Sequence, residues 1–87
     1  MEKTISTREY RVLLWQLQKA RRLAGVSQEE LAERLNKPRT WVGNCERGQR
    51  RIDAIELRVI CQALGISYVE FIREVDVAID KELGSEK

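Results

Sequence analysis

Two short helix-forming runs, Ser27–Leu35 and Arg39–Arg47, are separated only by Asn36-Lys37-Pro38, and this spacing constrains the fold more than any other feature. A connector of three residues forces the two helices to cross steeply, and a steep crossing needs a small residue on the inner face of the first. Ala32 supplies it, and Val42, ten positions on, is the β-branched wedge that sets the second helix against it. Leu31, Leu35 and Cys45 fill the space between. Asn36 can take the positive φ of a tight turn, and Pro38 stops the first helix from continuing. Such a pair projects its second helix away from the domain.

The remaining elements follow from caps and apolar periodicity. Ser6-Thr7-Arg8-Glu9 reads as a capping box that opens a first helix with Tyr10, Leu13, Leu14, Leu17, Ala20, Arg21 and Ala24 on one stripe, ended by Gly25. Ser27-Gln28-Glu29-Glu30 opens the second helix; Asp53 caps a fourth that runs to Leu64 before Gly65. Ser67-Tyr68-Val69-Glu70 opens a fifth, in which Tyr68, Ile72, Val75, Ile79 and Leu83 recur at helical spacing, so it extends unbroken to Gly84. No alternating run of β-branched residues bounded by a hairpin turn occurs. The expected fold is all-α, five helices in one domain spanning 1–87. Its core covers about residues 7–75, with an extension of the fifth helix over 76–83 and fraying at the first few residues and at 84–87.

Composition narrows the chemistry. Without histidine, His-based acid–base catalysis and Cys/His zinc sites are excluded. No nucleophile–base pair or phosphate-cradling glycine loop is present, so neither enzymatic activity nor a cofactor is expected. No apolar run approaches the length of about 18 residues that would span a membrane. The N-terminus, Met1-Glu2-Lys3-Thr4, opens on no apolar signal core, which points to the cytoplasm. Cys45 and Cys61 fall on inward helical positions, where a free thiol acts as a small hydrophobe rather than a disulfide partner.

The net charge of +2 conceals a division. Residues 1–51 hold twelve Lys/Arg against six Asp/Glu, whereas residues 52–87 hold four against eight. A split of this kind fits one face that meets a polyanion, or equally a helical surface laced with salt bridges. Within Lys37–Arg51 five cations face the single acid Glu46. With Val42 inward, a step of about 100° per residue turns Thr40, Gly43, Asn44 and Arg47 outward, with Arg39 at the exposed helix start. Arg suits a guanine edge, Asn an adenine edge, and Thr a phosphate or a thymine methyl. The candidate base contacts are therefore Arg39, Thr40, Gly43 and Asn44. Gly43, costly inside a helix, either lets the backbone approach a groove or relieves a clash with a neighbouring helix. Gln28 sits in a first helical turn whose free N–H groups favour phosphate, although a solvated helix start needs no such role. With Gln28, the candidate phosphate contacts are Lys37, Arg47, Arg50 and Arg51. Trp41 either lies along the sugar-phosphate or, the reading preferred, packs sideways on its own domain.

At these residues the chain resembles a known family. The stretch Ser27-Gln28-Glu29-Glu30-Leu31-Ala32-Glu33-Arg34-Leu35, with Val42, Glu46-Arg47-Gly48 and Ala63-Leu64-Gly65-Ile66-Ser67, is similar to the phage-repressor/Cro-like (XRE) helix-turn-helix proteins over roughly Leu17 to Ile72. The resemblance implies a five-helix lambda-repressor-like bundle and a dimeric, double-stranded-DNA-binding transcription regulator. It implies phosphate contact by Gln28 and base contact by Arg39, Thr40 and Asn44. It also implies a structural ion pair of Arg21 with Glu46, and Glu46, inward by helical phase, independently needs a partner. Asn36 where glycine is usual, and Pro38-Arg39 at the helix start, depart from the family pattern, so the operator cannot be copied from a relative.

Two expectations concern partners. Val75, Ile79 and Leu83 are the candidate seam of a homodimer, the alternative being that the fifth helix folds back on Tyr10 or Trp15. The leading function is a sequence-specific regulator acting as a repressor. The alternative is an antitoxin or interaction module on the same scaffold, with the acidic C-terminal half masking a basic partner protein such as a toxin.

Overall fold

In the computed structural model, which describes residues 7–83, five α-helices follow in chain order: α1 (Arg8–Leu23), α2 (Gln28–Leu35), α3 (Arg39–Glu46), α4 (Ala54–Leu64) and α5 (Tyr68–Leu83). The expectations for the first few residues and for 84–87 lie outside the described residues. Each helix start has a chemical cause. Ser27 Oγ accepts the Glu30 amide at 3.0 Å and Ser67 Oγ that of Glu70 at 3.1 Å. Asp53 and Glu56 close a full capping box, each side chain taking the other's backbone N–H at 2.7 and 3.0 Å. The cap of α1 is Thr7, whose hydroxyl accepts the Tyr10 amide, one position later than the expected Ser6.

Helix ends are equally specific. Asn36 takes φ 58° and ψ 44°, and the Lys37 amide reaches back to the Ala32 carbonyl at 2.9 Å. That closure satisfies a carbonyl the helix leaves open and turns the chain sharply. Asn36 is the one non-glycine with positive φ among the described residues; its short polar side chain tolerates what a branched one could not. Pro38, extended at φ −68°, then fixes the entry to α3, which lacks a side-chain cap.

The core lies where α1, α2, α3 and α4 converge and α5 closes it. Leu14, Leu17, Leu31, Ala32, Val42, Cys45, Leu57, Ile60, Cys61, Leu64, Phe71 and Val75 are buried together. At roughly 1.5–3 kcal/mol per fully buried large aliphatic side chain, this cluster is the main stabilising term. Both cysteines are free, and burial pushes the Cys61 thiol up to about 11, so it stays protonated at neutral pH.

Helix α5 takes the fold-back course at Val75. It folds back along α1: Val75 is buried, and Ile79 packs on the core beside Tyr10, Leu13 and Ile72. Leu83 is half-buried in a groove with Val12 and Trp15. Val75 is thus spent within the chain, whereas Ile79 and Leu83 are half-buried and keep part of their surface open. The periodicity correctly marked a buried face but could not say whose surface buries it.

Candidate nucleic-acid interface

Helix α3 is held from behind and open in front. Val42, Cys45 and Glu46 are buried, whereas Arg39, Thr40 and Arg47 are exposed and Asn44 is half-buried. The anchor is Glu46. Its carboxylate accepts from Arg21 Nε at 2.7 Å, from Arg21 Nη2 at 3.1 Å and from Gln28 Nε2 at 2.8 Å. Gln18 Nε2 donates to the Glu46 carbonyl at 3.1 Å, and Arg21 Nη1 to the Val26 carbonyl at 2.9 Å. One carboxylate therefore joins α1, α2 and α3, with Arg21 and Glu46 only 7% and 6% exposed. A charge pair out of water is tolerable only when its remaining hydrogen-bonding groups are matched in this way.

The network changes the picture of Gln28. Its amide is not simply offered outward at the start of α2; its Nε2 donates to Glu46. The second hydrogen of Nε2 remains for a phosphate, beside the backbone N–H groups of the first turn.

Gly43 departs from the outward reading by helical phase. It is buried, and the cover is the side chain of Arg47: a Cβ at Gly43 would come within 3.1 Å of Arg47 Nη1. The glycine relieves no clash with a neighbouring helix, because the three nearest atoms all belong to Arg47. The same guanidinium donates through Nη2 to Asn44 Oδ1 at 2.6 Å.

Two aromatic rings, Trp41 of α3 and Tyr10 of α1, carry the surrounding cations. Trp41 packs on its own domain, against the core, with Lys37 Nζ 5.3 Å and the Arg50 guanidinium 5.0 Å from its ring centre. Tyr10 carries the Arg51 guanidinium at 5.0 Å, while its hydroxyl accepts the Ile52 amide at 2.9 Å. A cation over a ring face is attracted by its quadrupole and loses freedom before any ligand arrives. Arg50 is compensated: it grips Glu56 through both Nη atoms at 3.0 and 2.9 Å. The Arg50 guanidinium, and then the Asp53 amide, hold the Glu56 carboxyl below the usual carboxylate range. Among the described residues, Lys37, Arg39, Arg47 and Arg51 form no ion pair.

This arrangement is that of a known structural class. A helix-turn-helix family model matches residues 17–71, well over half of the chain. The protein belongs to the XRE-type helix-turn-helix family. The chain is 38% identical over 56 residues to the HTH-type transcriptional regulator y4dJ of Sinorhizobium fredii, covering 64% of this chain and 73% of that one. The fold is similar to that of an XRE-family-like protein from Pseudomonas syringae pv. tomato, with a TM-score of 0.77 and 34% identity over 80% of this chain and 85% of that chain. It is equally similar to the clp gene regulator ClgR of Corynebacterium glutamicum, with a TM-score of 0.77 and 25% identity, covering 92% and 85%. Within the XRE family this chain is a DNA-binding regulator by type, and such regulators are not typically enzymes. Among the described residues no helix is long and apolar enough to cross a membrane.

For this XRE-family chain, sequence reasoning missed the supports of the site. Glu56 as the partner of Arg50 had a signal, being the third residue after the Asp53 cap. Tyr10 as the mount of Arg51 had none, because the two are far apart in sequence and meet only through the packing of α1.

Proposed function

We propose that this protein is a sequence-specific regulator that inserts α3 into the major groove of double-stranded DNA and represses by occupying an operator. The observation that carries the reading is the two-sidedness of α3. Its back is locked by Val42, Cys45 and the Glu46 network, and its front turns Arg39, Thr40, Asn44 and Arg47 outward between Lys37 and Arg51. In this reading Arg39, Thr40 and Asn44 reach base edges, with the backbone at Gly43 close by beneath Arg47. Lys37 and Arg51, with Gln28 and the partly compensated Arg50, reach phosphates and fix register. Arg47 is the arginine whose role is taken further below.

Two copies are needed to read a paired site, with half-sites about 34 Å apart. Trp15 and Val77, 57% and 52% exposed, line one open groove between α1 and α5 and supply apolar surface for that association in place of the buried Val75. Lys19, Lys81, Glu70 and Glu74 around it offer both signs of charge.

The test is binding to a duplex selected by the protein from a random pool. Arg39→Ala and Asn44→Ala should each weaken binding by about 5- to 150-fold, the equivalent of roughly 1–3 kcal/mol for a base contact. Titration of labelled duplex by fluorescence anisotropy measures this. Wild-type affinity in both variants would show that α3 does not read the site.

A further inference from the structure

The Gly43–Asn44–Arg47 corner of α3 has a geometry that neither a phosphate-binding arginine nor a freely rotating asparagine requires. Arg47 is the C-terminal cap of α3 and exposed, and its side chain lies along the helix surface. It folds back over Gly43, where the absence of a Cβ leaves room for Nη1, and donates through Nη2 to Asn44 Oδ1 at 2.6 Å. The Asn44 backbone is held as well, its carbonyl accepting the Gln49 and Arg50 amides at 2.9 and 3.2 Å.

This contact decides which way the Asn44 amide faces. A guanidinium has only donors, so the atom beside it must be the oxygen, and the Nδ2 amino group is turned away. We infer that Arg47 is a positioning and specificity-determining residue: by holding Asn44 Oδ1, it makes this corner of α3 a donor surface that selects guanine over adenine. The inference rests on the reading of α3 as the DNA-facing helix.

The chemistry is that of the base edges. Adenine offers one acceptor and one amino donor in the major groove, and an asparagine pairs with both only by presenting its oxygen and its amino group together. Here the oxygen lies against a cation whose remaining N–H groups project beside it, so an incoming adenine amino group meets positive charge. Guanine offers N7 and O6, two acceptors, and meets only donors: Asn44 Nδ2 and the unused N–H groups of Arg47. Removing the guanidinium frees the oxygen and restores the ordinary asparagine preference for adenine. Gly43 belongs to the device, since a Cβ there crowds Nη1, the far end of a flexible side chain that can swing away without unfolding the helix.

The test uses the full chain and a selected duplex. The relevant base pair is the one whose preference collapses in Asn44→Ala. At that position the affinities for guanine and adenine duplexes are compared in wild type, Arg47→Ala and Gly43→Ala. Wild type should favour guanine by about tenfold or more, within the range of a single base contact. Arg47→Ala should lower the ratio to parity or invert it, Gly43→Ala should lower it by less because Nη1 need give way only slightly, and the ratio is insensitive to a uniform loss of affinity. An unchanged ratio in Arg47→Ala, with binding merely weaker on every sequence, would make Arg47 a phosphate contact and overturn the inference while leaving the DNA-binding reading intact. If no base preference responds to Asn44→Ala, Asn44 reads no base and the inference falls, whereas the DNA-binding reading falls only if Arg39→Ala is silent as well.

Discussion

Glu46→Ala is expected to destabilise the protein more than any other single change to a polar residue. The substitution leaves the Arg21 guanidinium buried without its carboxylate and removes the acceptor of Gln28. Deleting one partner of a buried ion pair costs about 3–5 kcal/mol, because the remaining charge has lost both water and partner. In a domain of this size each kcal/mol lowers the midpoint by about 4–8 °C, so thermal unfolding followed by circular dichroism should show a fall of roughly 12–40 °C. The control is the double variant Arg21→Met, Glu46→Leu. Apolar residues of similar volume in place of both charges commonly restore stability, so this variant should melt well above Glu46→Ala. DNA binding should not recover with stability, because the carboxylate also fixes α2 and α3 relative to one another. A fall of less than about 5 °C in Glu46→Ala would mean that the network adds little to the fold.

Salt should act on DNA binding almost as strongly as Glu46→Ala acts on folding. Lys37, Arg39, Arg47 and Arg51 stand around α3 without an ion pair among the described residues, while Arg50 is neutralised by Glu56. Lys37 and Arg51 are the uncompensated cations assigned to phosphates, and each phosphate neutralised contributes about −0.9 to the slope of log affinity against log salt, giving a slope near −1.8 for each protomer and about −3.6 for a pair. Between about 50 and 200 mM salt that corresponds to a loss of about 12-fold per protomer, or about 150-fold for a pair. Glu56→Gln releases Arg50 and should steepen the slope by up to about 1 unit. A slope close to zero would remove the phosphate contacts from the account. The net charge of +2 gives no hint of this, since the acidic residues of α5 cancel in the total but not at α3.

Much of the fold was legible because its signals are local. Ser27, Asp53 and Ser67 cap the helices they precede, and Asn36 takes the left-handed turn its chemistry allows. The inward set Val42, Cys45 and Glu46 followed from helical phase alone. Phase failed where side chains are long or absent. It placed Gly43 outward because a rotation angle says nothing of a neighbouring arginine that folds back over a missing Cβ. Nor does the sequence say that Glu46 and Glu56 also hold Gln28 and Arg50, the two side chains assigned to phosphates. For α5 the apolar repeat was equally compatible with α1 of the same chain and with a second copy; packing within the chain takes up Val75, and Ile79 in part.

The central claim is that α3 reads a DNA sequence. Selection of bound duplexes from a random pool by the full chain tests it most directly. The account predicts enrichment of one consensus with two inverted half-sites centred one helical turn apart, about 34 Å. Retention of DNA by charge alone, with no consensus emerging over successive rounds, would contradict it.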